Sequence, residues 1–458
     1  MFGRGRPLRA AIYTCCLAAF LFFGYDQGVF GGILQNKHWL EQFDHPSDTI
    51  TGITVASYCF GAFFGCILNI FIGDYFGRRR MIWIAMGFIF IGASLQTSAY
   101  ALSHLIVGRI ITGLGTGIDS STVPMYQSEL SKKGNRGQVV SWEIWFIGIG
   151  IVLAYWIDYG FSYVDSDVAF RAPIGIQLIF AVVVTVIVWG LPESPRWLAK
   201  RGRIDEAREV LCAVFDVPDD DPWVLSEIRA IEAAIAIERG SGAGTVSALF
   251  KSDILQTRKR TILAWFGLFM NQWSGINLVI YYMPTVLVVN VGMSPGRAQL
   301  IAGFVELMFP IGNTLPALYL DRMGRKRTMM IVVFGATINV VPWVWGPEIL
   351  PLEARAKGTA VSVSSHWIWN ACIVLITPIL INRIGWKTYL IFMILLALFV
   401  PGVWYFYPET SGLSLEEIDN IFLPEGRKVT PGEYDAVLAG DVTPDSEKGG
   451  LRRTEEKV

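Results

Sequence analysis

The sequence predicts an all-α membrane protein whose helices fall into two similar bundles. Apolar runs of about 20 residues, enough to cross a hydrocarbon core about 30 Å thick, recur along the chain. Of its 458 residues, 53% are hydrophobic and 17% charged, with mean hydropathy +0.45. Short motifs of the first half return in the second. Alternation with period two, the mark of a membrane barrel, is missing from these runs. Lipid offers unpaired backbone amides no partner, so the runs read as helices.

The expected spans are 11–34, 51–72, 81–99, 103–123, 138–160, 173–191, 261–289, 297–320, 328–350, 359–381 and 386–407. The first follows Arg4, Arg6 and Arg9. It is too long for a signal peptide and lacks a small-residue cleavage site. Lysine and arginine in short loops set orientation. With the N-terminus inside, inner loops hold Arg78, Arg79, Arg80, Lys132, Lys133, Arg136, Arg322, Arg325, Lys326 and Arg327. Outer loops hold little beyond Lys37, Arg171 and Arg297. Residues 196–258 are charged, carry short amphipathic patterns and contain Gly240–Gly244. They read as a cytoplasmic linker. The expected division is therefore a six-helix bundle over 1–195, the linker over 196–258, a second bundle over 259–423 and a polar, disordered cytoplasmic tail over 424–458.

The halves echo each other in detail. Gly73-Asp74-Tyr75-Phe76-Gly77-Arg78-Arg79-Arg80 resembles Leu320-Asp321-Arg322-Met323-Gly324-Arg325-Lys326-Arg327. Glu129 precedes Arg136 as Glu348 precedes Arg355, and Pro192-Glu193-Ser194 resembles Pro408-Glu409-Thr410. Two similar bundles around a midplane site are a common plan for secondary transporters. The spacing fails once. Asp74 and Glu129 are 55 positions apart, whereas Asp321 and Glu348 are 27 apart. The second half is short by about one helix and a loop, leaving eleven spans where two full repeats would give twelve. A single crossing over 328–350 would put Glu353–Lys357 outside, against the charge rule.

Several residues carry chemistry on their own account. Neutral amides can replace the water around a polyhydroxylated solute without burying charge. Span 7 offers Asn271, Gln272 and Asn277. Positions 272 and 277 lie about 140° apart on a straight helix. They share a face only if Gly275 bends or unwinds it. The alternative is that these amides bind neighbouring helices. Asp26 and Arg109 are costly charges in the bundle, roughly 2.5–3.5 kcal/mol each at the membrane centre, and their depths let them pair. Asp74, Arg78, Glu129, Arg136, Glu193, Arg196, Asp321, Arg325, Glu348, Arg355 and Glu409 sit at inner helix ends. They read as a cytoplasmic gate, or as charges that only set topology. Gly61-Ala62-Phe63-Phe64-Gly65 fits close helix packing, and Glu306 is a buried-carboxylate candidate.

The ordered motifs resemble those of the sugar porter family of the major facilitator superfamily, especially its fungal members, over nearly the whole chain to about Leu423. They are Gly24-Tyr25-Asp26-Gln27-Gly28, Gly77-Arg78-Arg79-Arg80, Gly108-Arg109, Pro124-Met125-Tyr126-Gln127-Ser128-Glu129, Pro192-Glu193-Ser194-Pro195-Arg196-Trp197-Leu198, Asn271-Gln272-Trp273-Ser274-Gly275-Ile276-Asn277 and Pro408-Glu409-Thr410-Ser411-Gly412. The resemblance implies a major facilitator-type two-bundle transporter working by alternating access on a sugar or polyol. It implies that Asn271, Gln272, Asn277, Tyr281, Trp343 and Asn370 line the substrate site. It makes Asp26 a proton-coupling acid and Arg109 its partner; a structural ion pair in a facilitator is the other reading. The chain departs from the family at Asn271, where Gln is usual, at Ile144 beside Glu143, where the family has another Gln, and at His366, where Asn is frequent.

The expected partners are a small sugar, H⁺ and the lipid bilayer, and the expected location is the plasma membrane. Net charge −1 argues against a nucleic-acid partner. Cys15, Cys16, Cys59, Cys66, Cys212 and Cys372 read as packing residues without metal spacing. No cofactor or metal is expected. No Walker motif or nucleophile motif occurs, so neither an ATP-driven pump nor an enzyme is expected. The rival readings are a nutrient sensor of transporter fold and an inactive truncated isoform.

Overall fold

The computed structural model describes residues 2–131, 136–240, 246–250, 256–332, 340–351, 355–411, 413, 418 and 421–422. The expected tail, loop residues 132–135, and the side chains of Arg136 and Asp321 lie outside the described residues. In chain order the helices are α1 (Arg6–Ile33), α2 (Lys37–Gln42), α3 (Asp48–Phe76), α4 (Arg78–Thr97), α5 (Leu102–Glu129), α6 (Arg136–Phe161) and α7 (Val168–Trp189). Then come α8 (Pro195–Lys200), α9 (Ile204–Phe215) and α10 (Pro222–Gly240), and a 3₁₀ turn, Val246–Phe250. The second half holds α11 (Thr257–Gln272), α12 (Ile276–Val289), α13 (Pro295–Glu306), α14 (Met308–Met323), α15 (Arg325–Val332), α16 (Val340–Ile349), α17 (Arg355–Ile384) and α18 (Lys387–Phe406). Among the described residues there is no strand. The protein is a multi-pass, all-helical membrane protein.

Inside lipid there is little hydrophobic drive between helices, so close backbone packing has to bind them. Glycines provide it. A Cβ at Gly61 or Gly65 of α3 would stand 2.3 Å from the carbonyl oxygens of Ile110 and Leu114 on α5. One at Gly113 or Gly117 of α5 would stand 2.1 and 2.0 Å from those of Tyr58 and Ala62 on α3. The Gly61–Gly65 stretch is thus a packing face. Gly24 of α1 and Gly150 of α6 meet the backbones of Ile147 and Leu21 in the same way.

Polar contacts join the bundles. Tyr155 Oη donates to Ile280 O at 2.8 Å, Gln35 Nε2 to Thr285 Oγ1 at 3.0 Å, and Trp145 Nε1 to Thr314 Oγ1 at 3.0 Å. Trp367 Nε1 donates to Ser120 Oγ at 3.2 Å. On the inner side α8 to α10 enclose a small core that includes Trp197, Leu211 and Ile228. α8 grips the inner end of α3: Trp197 Nε1 donates to Asp74 O at 2.8 Å, and Lys200 Nζ lies 3.0 Å from Asp74 Oδ2.

The second half departs from the expected spans in three places. Span 7 is broken between Gln272 and Ile276. Span 8 keeps helical backbone through Leu307 (φ −60°, ψ −25°), and only its hydrogen-bond ladder is interrupted between α13 and α14, where Pro310 offers no N–H. The expected ninth span, 328–350, is not a single crossing. Arg325 begins α15 and Glu348 lies at the end of α16, and their side chains pair at 2.7 Å. A straight helix would hold them roughly 35 Å apart. The chain therefore goes in and comes back to the inner side. Two full crossings need about 40 residues, and 325–349 supplies little more than half. The second repeat is thus short within this helix pair, whose two described ends meet on the inner side. The carbonyl end of α16 is held by cations, as a helix C-terminus favours. Arg260 Nε donates to Ile349 O, Arg355 Nε to Pro347 O at 3.0 Å and Arg355 Nη2 to Leu350 O at 3.1 Å.

Candidate functional site

The break in span 7 builds the centre of the molecule. Gly275 has φ +87°, a left-handed conformation that glycine adopts without penalty. It ends one helical segment and starts the next, which brings Gln272 and Asn277 onto one face. Asn277 Nδ2 donates to Gln272 Oε1. Gln272 Nε2 donates to Asn271 Oδ1 at 3.0 Å and stands 2.7 Å from His366 Nδ1 on α17. All four side chains are buried. His366 is held by aromatic edges, with ring centroids 4.9 Å from Trp343 and 5.1 Å from Trp367.

Three other expected residues share this buried layer but have open valences. Trp343 Nε1 and both Nδ2 and Oδ1 of Asn370 find no hydrogen-bond partner among the described residues, and Tyr281 Oη has only the weak acceptor Cys59 beside it. A buried polar group left unmet costs about 1–3 kcal/mol. The span-7 amides bond to each other and to His366; the Trp343 and Asn370 groups bond to none of the described residues. Gly275→Ala would put a Cβ 2.7 Å from the Phe392 ring and force L-residue strain of about 1–2 kcal/mol. It is expected to lower the thermal midpoint and to weaken solute binding about tenfold, read by a thermal-shift titration. Native values of both in the variant would show that the break does not organise the amides.

Asp26 and Arg109 are both fully buried in the first bundle. The expected ion pair between them is not made. Arg109 instead lies over the Phe30 ring at 3.8 Å and near the Tyr58 ring at 5.0 Å, and Nη2 donates to Val55 O at 3.2 Å. The Asp26 carboxyl has Tyr58, Gln177 and Arg109 as its polar neighbours, none close enough to complete a full hydrogen bond or ion pair. Aromatic faces and a carbonyl stabilise a desolvated guanidinium well enough to hold it off the acid.

The inner charges form two matching cages. In the first, Arg78 binds Asp74 at 3.1 Å and Glu129 at 3.2 Å. Glu193 accepts from the backbone N–H groups of Arg78, Arg79 and Ser194 at 2.9, 3.2 and 2.9 Å. Burial pushes the Glu193 carboxyl above the usual carboxylate range, and those N–H groups oppose the shift. In the second cage Arg325 binds Glu348, and Glu409 accepts from Arg325 N and Lys326 N at 2.7 and 3.0 Å. Gly77 and Gly324 turn at φ +86° and +85°, with Glu193 and Glu409 carboxylates where a Cβ would be. Arg355 serves the α16 carbonyls, and Arg196 joins no ion pair among the described residues. Arg78 pairs with Asp74 and Glu129 of its own bundle, and Arg325 with Glu348 of its own.

The sequence profile of the Sugar (and other) transporter family matches residues 11–332 and 328–422. The chain belongs to that family. It is a sugar porter of the major facilitator superfamily. It is 34% identical to the transporter oryC of Aspergillus oryzae, covering 93% of this chain and 87% of that one. It is 31% identical to the sugar transporter STL1 of Saccharomyces cerevisiae, covering 91% and 82%. The proton:xylose symporter XylE matches its fold with TM-score 0.75 at 24% identity, over 91% of this chain and 99% of that one.

In this porter the family match splits near residue 330, at the end of α15, where the short helix pair begins to run back. Sequence reasoning noted His366 only as a departure and missed Trp367, which reaches Ser120 in the other bundle. The signal was present as consecutive His and Trp in an apolar span. Its partners, 94 and 247 positions away, were not visible in the sequence.

Proposed function

We propose that this porter carries a sugar or a related polyol across the membrane by alternating access, coupled to inward movement of H⁺. The observation that supports it best is the buried layer around Gly275. Asn271, Gln272 and Asn277 are gathered there with His366, beside Tyr281 and beside groups on Trp343 and Asn370 that no described residue bonds. A solute with several hydroxyls can donate and accept across such a layer. The Trp343 ring offers an apolar face for the carbon side of a sugar. Kinship with sugar transporters points to the same solute class.

In this reading Asp26 takes a proton from the outer side. While it is protonated, Arg109 stays on its aromatic faces. Loss of the proton leaves a bare carboxylate, which draws Arg109 away from Phe30 and Val55 and shifts the packing of α1 against α3 and α5. The two inner cages fasten helix ends within each bundle, so that each bundle moves as a rigid body. The gating role proposed for Asp74, Arg78, Glu129, Glu193, Arg325 and Glu348 is this fastening, with Asp321 and Arg136 as further members by repeat position.

The test is uptake of labelled hexoses, pentoses, polyols and disaccharides into cells stripped of their own transporters, at several pH values. Saturable uptake that rises with external acidity is expected. Surface-expressed protein giving no uptake at any pH would defeat the reading.

A further inference from the structure

Glu306 has no part in the site just described. It is the last residue of α13, where the ladder of span 8 is interrupted before α14 although the backbone stays helical. It is 2% exposed, and its Oε1 meets no donor among the described residues. It lies 11 residues in from the outer end of α13, roughly 17 Å and near mid-bilayer. α13 packs against α6 of the opposite bundle. Phe304 meets Trp156 edge-on at 5.2 Å, and a Cβ at Gly303 would stand 3.6 Å from the same ring. The carboxyl therefore sits between surfaces that belong to different bundles.

The surroundings offer it no cation. α6, α12 and α14 pack on α13. α6 contributes Tyr155, whose environment includes the Glu306 carboxyl, and Asp158, with Tyr159 and Glu143 further along the helix. α12 contributes Tyr281 and Tyr282. α14 contributes Tyr319, with Asp321 at its inner end. The cations on these four helices are Arg297 near the outer end of α13, Arg136 at the inner end of α6 and Arg322 at the inner end of α14. Arg297 and Arg322 are each more than two helical turns from Glu306 along the chain. A bare carboxylate at this depth costs roughly 2.5–3.5 kcal/mol even on lenient scales. Pro310, four residues on, has no N–H to give the Glu306 carbonyl, so the helix ladder is weaker at this residue.

We propose that Glu306 is a second proton site, loaded while α13 packs on α6 and emptied when the bundles part there and water reaches the carboxyl. On emptying, the proton passes from the carboxyl to water, and the carboxylate left behind is solvated by the water that opened the gap. The proposal rests on the alternating-access reading, and it makes closure of the α6–α13 seam depend on pH independently of Asp26.

Infrared difference spectra between acid and alkaline buffer, taken on the full chain in lipid vesicles, test it without transport. One component of the protonated-carboxyl band is expected to vanish in Glu306→Gln and to persist in Asp26→Asn. Glu306→Asp should move that component rather than remove it, which covers a glutamine variant that folds poorly. A Glu306→Gln spectrum identical to the native one overturns the proposal. In solute exchange, the slope of log rate against pH is expected to fall by about one in Glu306→Gln, a tenfold change per pH unit; an unchanged slope overturns it as well. If no solute crosses in any variant, the transport reading fails, while the infrared band still decides whether Glu306 holds a proton.

Discussion

Vesicles carrying an Asp26→Asn variant are expected to exchange labelled solute at close to the native rate and to accumulate none. The substitution keeps shape and burial and removes only the exchangeable proton. Asp26 is fully buried beside Tyr58, Gln177 and Arg109, and an amide of the same shape can stay among these neighbours. Each proton moved through 100 mV is worth about 2.3 kcal/mol. At 1.4 kcal/mol per tenfold, that drives a gradient of about 50-fold. The variant should fall to about onefold. Accumulation retained at the native level would refute the coupling role of Asp26 and leave this chain a facilitator.

Arg78→Leu should cost the fold more than any change at an outer loop. Arg78 and Glu129 are each 9% exposed and bonded to each other. Removing the guanidinium strands a buried carboxylate and releases Asp74 as well. Breaking a buried pair in this way costs about 3–5 kcal/mol. Arg325→Leu should cost less, because Glu348 is 21% exposed and keeps the Thr410 hydroxyl as a donor. Arg196→Leu, which breaks no pair, is the control and should change stability by at most about 0.5 kcal/mol. Thermal midpoints of purified protein in lipid, with the fraction recovered monodisperse, give the comparison. Equal midpoints for Arg78→Leu and Arg196→Leu would remove the cage from the list of stabilising features.

Much of this was legible in the sequence, for definite reasons. Apolar runs separated by basic loops located most spans, because the bilayer fixes helix length and the loop charges fix side. The angular argument at Gly275 was sufficient: two amides about 140° apart meet only if the helix breaks, and the chain has the one residue there that breaks it freely. The Arg78 and Arg325 cages followed from repeated spacing. Other features depended on contacts between distant positions. Arg109 was matched to Asp26 by depth alone, but the competing partners were a ring four residues on from Asp26 and a carbonyl on α3. The His366–Gln272 bond joins residues 94 positions apart. The ninth span was misjudged because mean apolarity over 328–350 is the same for one long helix and for two short ones. The charges of Glu353–Lys357 spoke against one crossing, and the Arg325–Glu348 pair decides it.

The short α15–α16 pair has a consequence for everything that follows it. Deleting one whole crossing from a polytopic chain flips the sidedness of every later segment. A shortened pair that starts and finishes at the same face is neutral in parity. α17 therefore leaves from the leaflet where α15 began, and α18 brings the chain back to it. Glu409 arrives on the correct side to cap the Arg325 turn. A loss of membrane-spanning length has been absorbed without inverting the last two helices.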